Sequence, residues 1–201
     1  VVTGSHLSPE FGMTVEEIQI EFQVDKKIEI VLSADTPTAI SKSIGLGMIS
    51  MSDAFEGLKP ELVVLLGDRY EMLAAAICAH VAKIPIAHLH GGELSQGAID
   101  DGFRHAITKL SHLHFTSTQA YRDRVIQLGE NPKNVFCVGA LGVENIKKMS
   151  LLSRKELELR LKFQFLEQNA IITYHPTTLD DQPSEAQFKA LLKSLECFPG
   201  M

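Results

Sequence analysis

Residues 62–71 read LVVLLGDRYE, a run of five apolar residues that ends abruptly in glycine, an acid and a base. Residues 84–93 read IPIAHLHGGE and likewise pass from a mainly apolar run into glycine and an acid. A short Val/Ile/Leu run that stops at glycine is typical of a strand covered by helices on both faces. Residues 69–82, between the two runs, have the apolar spacing of a helix. Strand, helix and strand in this order predict a parallel α/β sheet.

The same alternation extends in both directions along the 201 residues. The predicted strands are Val1–Thr3, Ile28–Leu32, Leu62–Leu66, Ile84–Leu89, Leu113–Thr116, Val135–Val138 and Ala170–Thr173. The predicted helices are about Thr14–Gln23, Thr38–Phe55, Arg69–Ala82, Asp100–Ser111, Gln119–Leu128, Arg154–Phe163 and Ser184–Leu195. We therefore predict an α/β fold with a doubly wound, Rossmann-like parallel sheet, whose ligand crevice lies beyond the carboxyl ends of the strands.

The composition changes once, near residue 149, where a charged stretch without a strand pattern begins. We predict a Rossmann-like N-terminal domain over residues 1–146 that is incomplete at its start. Residues 147–169 are predicted to form a helical linker, and residues 170–201 the start of a second, truncated Rossmann-like domain. Because the chain begins inside a strand pattern and has no initiator methionine, we expect it to be part of a longer protein.

Composition and charge exclude several classes of protein. The chain has 19 Lys and Arg against 25 Asp and Glu, a formal net charge of −6, so it lacks the basic surface of a general nucleic-acid binder. No apolar run approaches the roughly 18 residues of a membrane span, and no secretory signal precedes the first strand. The cysteines are too scattered for a disulfide scaffold. We expect a cytoplasmic protein that binds neither nucleic acid nor membrane.

Acidic side chains follow two of the predicted strands. Asp68 comes after Gly67, Glu93 comes after the pair Gly91-Gly92, and Asp100 opens the next helix. Because the carboxyl ends of parallel strands lie along one edge of a sheet, we expect these carboxylates to converge on one crevice as candidate acids and bases. The residues alone leave a plainer interpretation open, in which Asp68 only caps a helix and the two glycines form an ordinary turn.

Two further side chains lie close to these acids in the predicted fold. Arg104 shares a helix face with Asp100, and the pair taken alone is explained by an exposed ion pair at a helix start. His175 follows the strand predicted at Ala170–Thr173, where structural and catalytic roles are equally well supported.

The pairs His88/His90 and His112/His114 have the spacing of metal ligands on one face of a strand. The first pair ends one predicted strand and the second begins the next, so we expect them at opposite edges of the sheet. We therefore predict no metal site. The sequence also contains neither a glycine-rich dinucleotide fingerprint nor a Gly-x-Ser-x-Gly elbow.

Six blocks of the sequence resemble the hydrolysing UDP-N-acetylglucosamine 2-epimerases of the sialic-acid pathway. They are TGSHLSPEFG (3–12), LGDRYEMLAAA (66–76), IPIAHLHGGE (84–93), GAIDDGFRHAITKLSHLHFTST (97–118), YRDRVIQLGE (121–130) and VGALG (138–142). The resemblance runs from Thr3 to about Gly142 and resumes at Tyr174-His175-Pro176. It implies the N-terminal half of a two-domain enzyme of glycosyltransferase-B type, without the first strand and helix and without most of the second domain.

The resemblance also implies roles for individual residues. Asp68, Glu93 and Asp100 match the family's catalytic acids, and His175 matches a histidine that acts near the phosphates. For substrate binding, Arg104 matches an arginine of the family's site, and Arg69 is a weaker match.

The implied reaction has two steps and requires neither a cofactor nor a metal. A carboxylate removes the C2 proton while UDP leaves C1. Water then adds to the resulting 2-acetamidoglucal and gives N-acetylmannosamine. The implied substrate is UDP-N-acetylglucosamine or a 2,4-diacetamido relative, and we expect the protein to form homo-oligomers.

Two other functions stay open on the residues, namely a nucleotide-sugar glycosyltransferase of the same build and a non-catalytic truncated module. The three acids favour the epimerase, because elimination needs them and simple glycosyl transfer does not. By the resemblance, most contacts to uridine and diphosphate belong to the second domain, so we expect the isolated 201 residues to be inactive.

Overall fold

The computed structural model of the chain describes residues 1–32, 34, 36–179 and 183–198. Strands and helices alternate through its first two thirds. The elements are β1 (Val2–Thr3), α1 (Val15–Glu21), β2 (Lys27–Ile28), α2 (Pro37–Leu58), β3 (Val63–Leu66), α3 (Tyr70–Val81), β4 (Ile86–Leu89), α4 (Asp100–Leu110), β5 (Leu113–Thr116), α5 (Gln119–Gln127), β6 (Val135–Cys137), α6 (Leu141–Lys148), α7 (Arg154–Leu161) and α8 (Ser184–Leu195). Short 3-10 turns lie at Gly4–Leu7, Pro9–Phe11 and Pro132–Asn134.

The strand pairs that the described residues form are all parallel. Strands β3 to β6 form one sheet in chain order, and β1 and β2 form a separate pair. Leu66 pairs with Leu89, and Leu89 pairs with Phe115, so β3, β4 and β5 run in register toward the same edge of the sheet. The predicted α/β class with parallel strands is confirmed, and the carboxyl ends of β3 and β4 lie side by side.

The core lies where α3 packs against α2, α4 and the sheet. Ala74 and Ala76 of α3 are fully buried, as are Ile86 of β4 and Ile107 of α4. A Cβ built on Gly47 of α2 would lie only 3.3 Å from the Cβ of Ala74. Small side chains therefore let α2 and α3 approach closely, while each buried isoleucine contributes roughly 1.5–3 kcal/mol.

Helix ends follow local capping chemistry. The Thr36 side chain accepts a hydrogen bond from the backbone of Ala39 at the start of α2, and Thr118 does the same at the start of α5. Ser153 forms a capping box with Glu156 at the start of α7. These signals explain why the predicted helices form within a few residues of their expected bounds, whereas α6 was not predicted. No helix in the described ranges is long and apolar enough to cross a membrane.

The expectation that His88 and His114 lie at opposite edges of the sheet is wrong. Strand β4 begins at Ile86, because the backbone N–H of Ile84 bonds to the carbonyl of Ala79 and closes the end of α3. His88 is therefore the third residue of β4 and pairs with His114 of β5. Both side chains are fully buried.

The chain divides into two compact units, Val1–Ser95 with Asp100–Leu141, and Gln96–Ile99 with Gly142–Met201. The second unit contains α6 from Gly142 onward, α7, α8 and, among its described residues, no strand. The strand predicted at Ala170–Thr173 is therefore wrong. Ile171 is 99% exposed, and a strand forms only where a neighbouring strand satisfies its backbone groups.

Candidate active site

Asp68 enters the site through the turn that follows β3. Gly67 supplies the left-handed backbone of that turn, with φ of 80°. The buried ring of His88 supports the turn from β4, because its Nε2 donates to the Gly67 carbonyl at 2.8 Å. Asp68 does not cap α3: the N-cap position is occupied by Arg69, and no side chain bonds to the free N–H groups there. The carboxylate is directed to α4 instead.

Arg104 of α4 is the side chain that joins the two strand ends. Its Nη2 donates to Asp68 Oδ2 and, at 3.1 Å, to Ser95 Oγ, which in turn donates to the same Asp68 oxygen at 3.0 Å. Its Nη1 donates to the His90 carbonyl at 2.7 Å and lies 3.8 Å from Glu93 Oε2. Arg104 is only 6% exposed, so the exposed ion pair with Asp100 that the spacing suggested is not what forms.

Glu93 is held from three sides in the turn after β4. Nδ1 of His90 lies 2.7 Å from Glu93 Oε1, and Ser117 Oγ donates to the same oxygen at 2.6 Å. The other oxygen faces Arg104. The structure thus brings Asp68 and Glu93 together around one buried guanidinium, and both carboxylates remain partly accessible.

The turn that carries Glu93 is shaped by close packing against α5. Gly92 has a φ of 78°, and a Cβ built on it would lie 2.4 Å from the Tyr121 carbonyl oxygen and 2.8 Å from a Val125 methyl. Arg124 also donates to the Gly92 carbonyl. Glycine is required here both for its left-handed backbone and for its missing side chain.

We expect Gly92→Ala to lower the free energy of unfolding by roughly 2–4 kcal/mol, because the methyl group collides with backbone that belongs to a helix. Gly129→Ala is the matched control: Gly129 also has a positive φ, but the nearest atom to its built Cβ is the side-chain atom Lys109 Nζ at 3.6 Å, an ordinary van der Waals distance. The control should lose only about 1 kcal/mol. Urea denaturation measures both, and equal losses would show that the close approach to α5 has no energetic weight.

The two acids that open α4 have different surroundings. Asp101 Oδ1 accepts from the Ser95 backbone N–H at 2.8 Å, and its other oxygen lies 3.7 Å from His105 Nε2, so Asp101 ties the Glu93 loop to the helix. Asp100 is half-buried and makes no hydrogen bond or ion pair with any residue in the described ranges. Its carboxylate is therefore free for a ligand.

Arg69 lies near Asp100 but pairs with another acid. Its guanidinium donates to the buried Glu71, with Nη2 at 3.0 Å from Oε1. These bonds are the main reason that the pKa of Arg69 is raised, and the negative charge of Asp100 adds a smaller effect of the same sign. Much of the Arg69 side chain is exposed, so it is accessible to an anion.

The buried His88 beneath the site is held neutral. Burial is the main cause that lowers its pKa from about 6.5 to about 4, and it also lowers the pKa of the neighbouring His114. The hydrogen bond from Nε2 to the Gly67 carbonyl opposes this effect only in part. The turn that carries Asp68 is therefore bonded directly to a buried histidine ring whose protonation is disfavoured.

We expect stability to fall as the pH decreases from about 6.5 to about 4. In that interval the unfolded chain binds a proton at His88 and the folded chain does not, which removes up to about 3 kcal/mol of stability. The measurement is the free energy of unfolding at pH values above and within this interval, for the wild type and for His88→Gln. The variant should depend less steeply on pH. Identical slopes would assign the pH dependence to other groups.

His175 lies in the second unit, where it is exposed and follows Tyr174, whose ring lies 5.8 Å from that of Phe188. Its proposed role near the phosphates stays a prediction. In the part of the chain that the structure describes, no three His, Cys, Asp or Glu side chains are grouped to hold a metal ion.

Sequence reasoning missed three residues that position the acids: Ser95, Ser117 and Arg124. Ser117 directly follows β5, so the rule that identified Asp68, a polar residue after a buried strand, would have identified it too. Ser95 and Arg124 carried no such signal, because their contacts depend on the packing of α4 and α5.

The chain matches the family model described as UDP-N-acetylglucosamine 2-epimerase over residues 1–200. It is 49% identical to the GDP/UDP-N,N'-diacetylbacillosamine 2-epimerase (hydrolyzing) of Campylobacter jejuni, over 98% of this chain and 51% of that protein. It is 39% identical to polysialic acid biosynthesis protein P7 of Escherichia coli, over 98% and 50%. The UDP-N,N'-diacetylbacillosamine 2-epimerase (hydrolyzing) of Legionella pneumophila is 38% identical, over 96% and 51%. The chain thus spans about half the length of these relatives.

Solved structures show the same fold. The UDP-GlcNAc 2-epimerase of Neisseria meningitidis bound to UDP-GlcNAc matches with a TM-score of 0.61 at 19% identity, over 75% of this chain and 43% of that chain. The UDP-N-acetylglucosamine 2-epimerase of Rickettsia bellii matches with a TM-score of 0.59 at 25% identity, over 76% and 42%. The predicted N-terminal half of a glycosyltransferase-B fold is confirmed. With its fold and almost its whole length matched, the chain belongs to the UDP-N-acetylglucosamine 2-epimerase family.

Proposed function

We propose that this chain is part of a hydrolysing 2-epimerase that converts a UDP-2-acetamido sugar and water into UDP and the free 2-epimeric sugar. One observation carries the proposal: Asp68 and Glu93, from adjacent strand ends, meet at one buried arginine. Asp100 adds a carboxylate that makes no hydrogen bond or ion pair in the described ranges. This arrangement supplies several acid–base groups at one edge of the sheet, where ligands bind in such folds.

The chemistry requires a proton to leave C2 and a proton to return to it. In the first step, a base takes the C2 proton, the C2–H electron pair forms the C1=C2 bond, and the C1–O bond breaks as UDP departs. In the second step, a water oxygen bonds to C1 and gives up one of its protons to a carboxylate. The electron pair of the C1=C2 bond takes a proton at C2 on its other face. Asp68, Glu93, Asp100 and His175 are the proposed catalytic residues. Arg104 and Arg69 are proposed to bind the substrate and offset its negative charge.

The proposed substrate is a UDP-linked amino sugar, with UDP-N-acetylglucosamine and the diacetamido sugar as the two candidates. Two of the three relatives reported above, at 49% and 38% identity, carry N,N'-diacetylbacillosamine in their names. Their similarity favours the diacetamido sugar over UDP-N-acetylglucosamine, whose product would be N-acetylmannosamine. The proposal includes a cytoplasmic, homo-oligomeric enzyme that supplies the synthesis of a sialic acid or a sialic-acid-like sugar.

The test offers both nucleotide sugars to the full-length protein in D2O and follows the products by NMR. Release of UDP together with a free 2-epimer that carries deuterium at C2 is the expected result, and the isolated 201 residues should release neither. Transfer of the sugar to an acceptor with its C2 proton retained would indicate a glycosyltransferase. Failure to act on either sugar would indicate a non-catalytic module.

A further inference from the structure

His90, the residue that follows β4, has a backbone conformation that histidine rarely adopts. Its φ is 63°, in the left-handed region, which costs a side-chain-bearing residue roughly 1–2 kcal/mol. Hydrogen bonds on both sides maintain it: the His90 N–H donates to the Phe115 carbonyl at 2.8 Å, and the His90 carbonyl accepts from Arg104 at 2.7 Å. Such maintained strain is typical of functional positions.

The side chain of His90 is oriented by Glu93. Its Nδ1 lies 2.7 Å from Glu93 Oε1, and because a carboxylate only accepts, Nδ1 carries the proton of this bond. In the neutral ring the lone pair is then on Nε2, which has no hydrogen-bond partner among the residues that the structure describes. The side chain is 21% exposed, so Nε2 is accessible to a ligand.

The surroundings of His90 offer space for a sugar-sized group. A cavity of about 240 Å³ opens beside it, with Leu89, Phe115, Val138 and Leu141 on its walls. An apolar wall beside a polar catalytic group is the usual composition of a small-molecule site. By contrast, His88 and His114 of the same sheet are fully buried and are not accessible to a ligand.

Glu93 itself is poorly placed to exchange a proton with a substrate. Its Oε1 already contacts His90 and Ser117, and its Oε2 faces Arg104. A histidine that is oriented by a carboxylate and has one free ring nitrogen is the arrangement by which His–acid pairs transfer protons in other enzymes. The geometry therefore favours His90 as the group that contacts the sugar and Glu93 as its partner.

We propose that His90 is a catalytic residue that exchanges the C2 proton through Nε2. Glu93 then acts through His90 by positioning it, in place of the direct proton exchange proposed for it above. The inference rests on the function proposed above. Nε2 takes or returns the C2 proton on one face of the sugar. A second acid–base group exchanges the proton on the other face, and the carboxylate of Asp100, unpaired within the described ranges, is the candidate for it. In the elimination, the electron pair of the C2–H bond forms the C1=C2 bond, and UDP leaves with the electron pair of the C1–O bond. In the addition, the oxygen of water bonds to C1, the water gives up a proton to a carboxylate, and C2 receives a proton.

The test is His90→Gly in the full-length protein, assayed with and without added imidazole. Glycine accepts the φ of 63° without strain, so the turn is retained while the ring is removed. Turnover should fall about 100-fold or more while UDP affinity is unchanged, and imidazole should restore part of the turnover. Lys83→Gly is the matched control, because Lys83 has a φ of 59° in the turn after α3, away from the acids, and it should retain wild-type turnover.

His90→Gln provides a second test, which does not depend on whether imidazole can occupy the space left by the His90 ring. Its amide can still donate to Glu93 but cannot transfer a proton, so its turnover should fall as far as that of His90→Gly and imidazole should not restore it. If either variant keeps turnover close to the wild type, or if imidazole has no effect on His90→Gly, then His90 is not catalytic. If the wild type acts on neither sugar, the proposed function fails and the role of His90 fails with it.

Discussion

Replacing Arg104 with methionine is expected to lower the free energy of unfolding by about 3–5 kcal/mol. The guanidinium is buried and donates to Asp68, to Ser95 and to the His90 carbonyl. Methionine fills a similar volume but leaves the Asp68 carboxylate, which is only 19% exposed, without its counter-charge. An unpaired charge in such a position costs far more than the net contribution of the intact pair. Turnover should be lost as well, because Asp68 and Glu93 lose the guanidinium that holds them together.

Urea denaturation of the wild type and the variant measures this loss. Lys148→Met is the control, because Lys148 also pairs with a carboxylate, that of Glu144, but at an exposed site, where the variant should have no measurable effect. The double variant Asp68→Asn/Arg104→Met should recover part of the stability, since it removes the unpaired negative charge of the Asp68 carboxylate. A loss for Arg104→Met no larger than that of the control would mean that the buried pair does not hold the site together.

Replacing Asp100 with asparagine is expected to reduce turnover by about 1000-fold with little change in UDP affinity. Asparagine has nearly the same shape as aspartate but cannot take up the proton. Asp100 makes no hydrogen bond or ion pair within the described ranges, so stability should decrease only by the few tenths of a kcal/mol that a charge at a helix start contributes. The combination of a large kinetic effect and a small effect on folding distinguishes a catalytic acid from a structural one.

Asp101→Asn is the matched control for this variant, because its side chain is next in sequence and its Oδ1 can still accept the Ser95 N–H. Its loss of turnover should be far smaller than that of Asp100→Asn. Steady-state kinetics and UDP titration of the full-length protein supply both quantities. Equal losses of turnover and UDP affinity in Asp100→Asn would show that Asp100 is structural, and the proposed mechanism would then need a different acid–base group in its place.

Some features of the site follow from the sequence, and others depend on the folded structure. The positions of Asp68 and Glu93 at neighbouring strand ends were predictable, because an apolar run that stops at glycine marks a strand end wherever it occurs. The partner of Asp68 was not predictable, since helical spacing suggested that Arg104 would pair with Asp100 on the surface. Arg104 pairs instead with a residue 36 positions away, because α4 packs this face against the sheet.

The limits of the strands also depend partly on sequence and partly on tertiary contacts. The start of β4 depended on whether Ile84 continued the strand or closed the preceding helix, and the hydrogen bond to Ala79 decided for the helix. The apolar run at Ala170–Thr173 has the composition of a strand, but the described residues of its unit include no strand with which it could pair, so it forms none. A segment with strand propensity forms a strand only when another segment of the protein supplies hydrogen bonds to its backbone.

The sequence by itself therefore determined the α/β class, the order of most elements and the edge of the sheet where chemistry belongs, because short-range periodicity and glycine positions encode these features. Tertiary structure alone decided that Arg104 is buried between two acids, that His88 is paired with His114, and that Ser117 donates to Glu93. These contacts join segments that are distant in sequence, and packing and hydrogen-bond satisfaction in the folded chain select them.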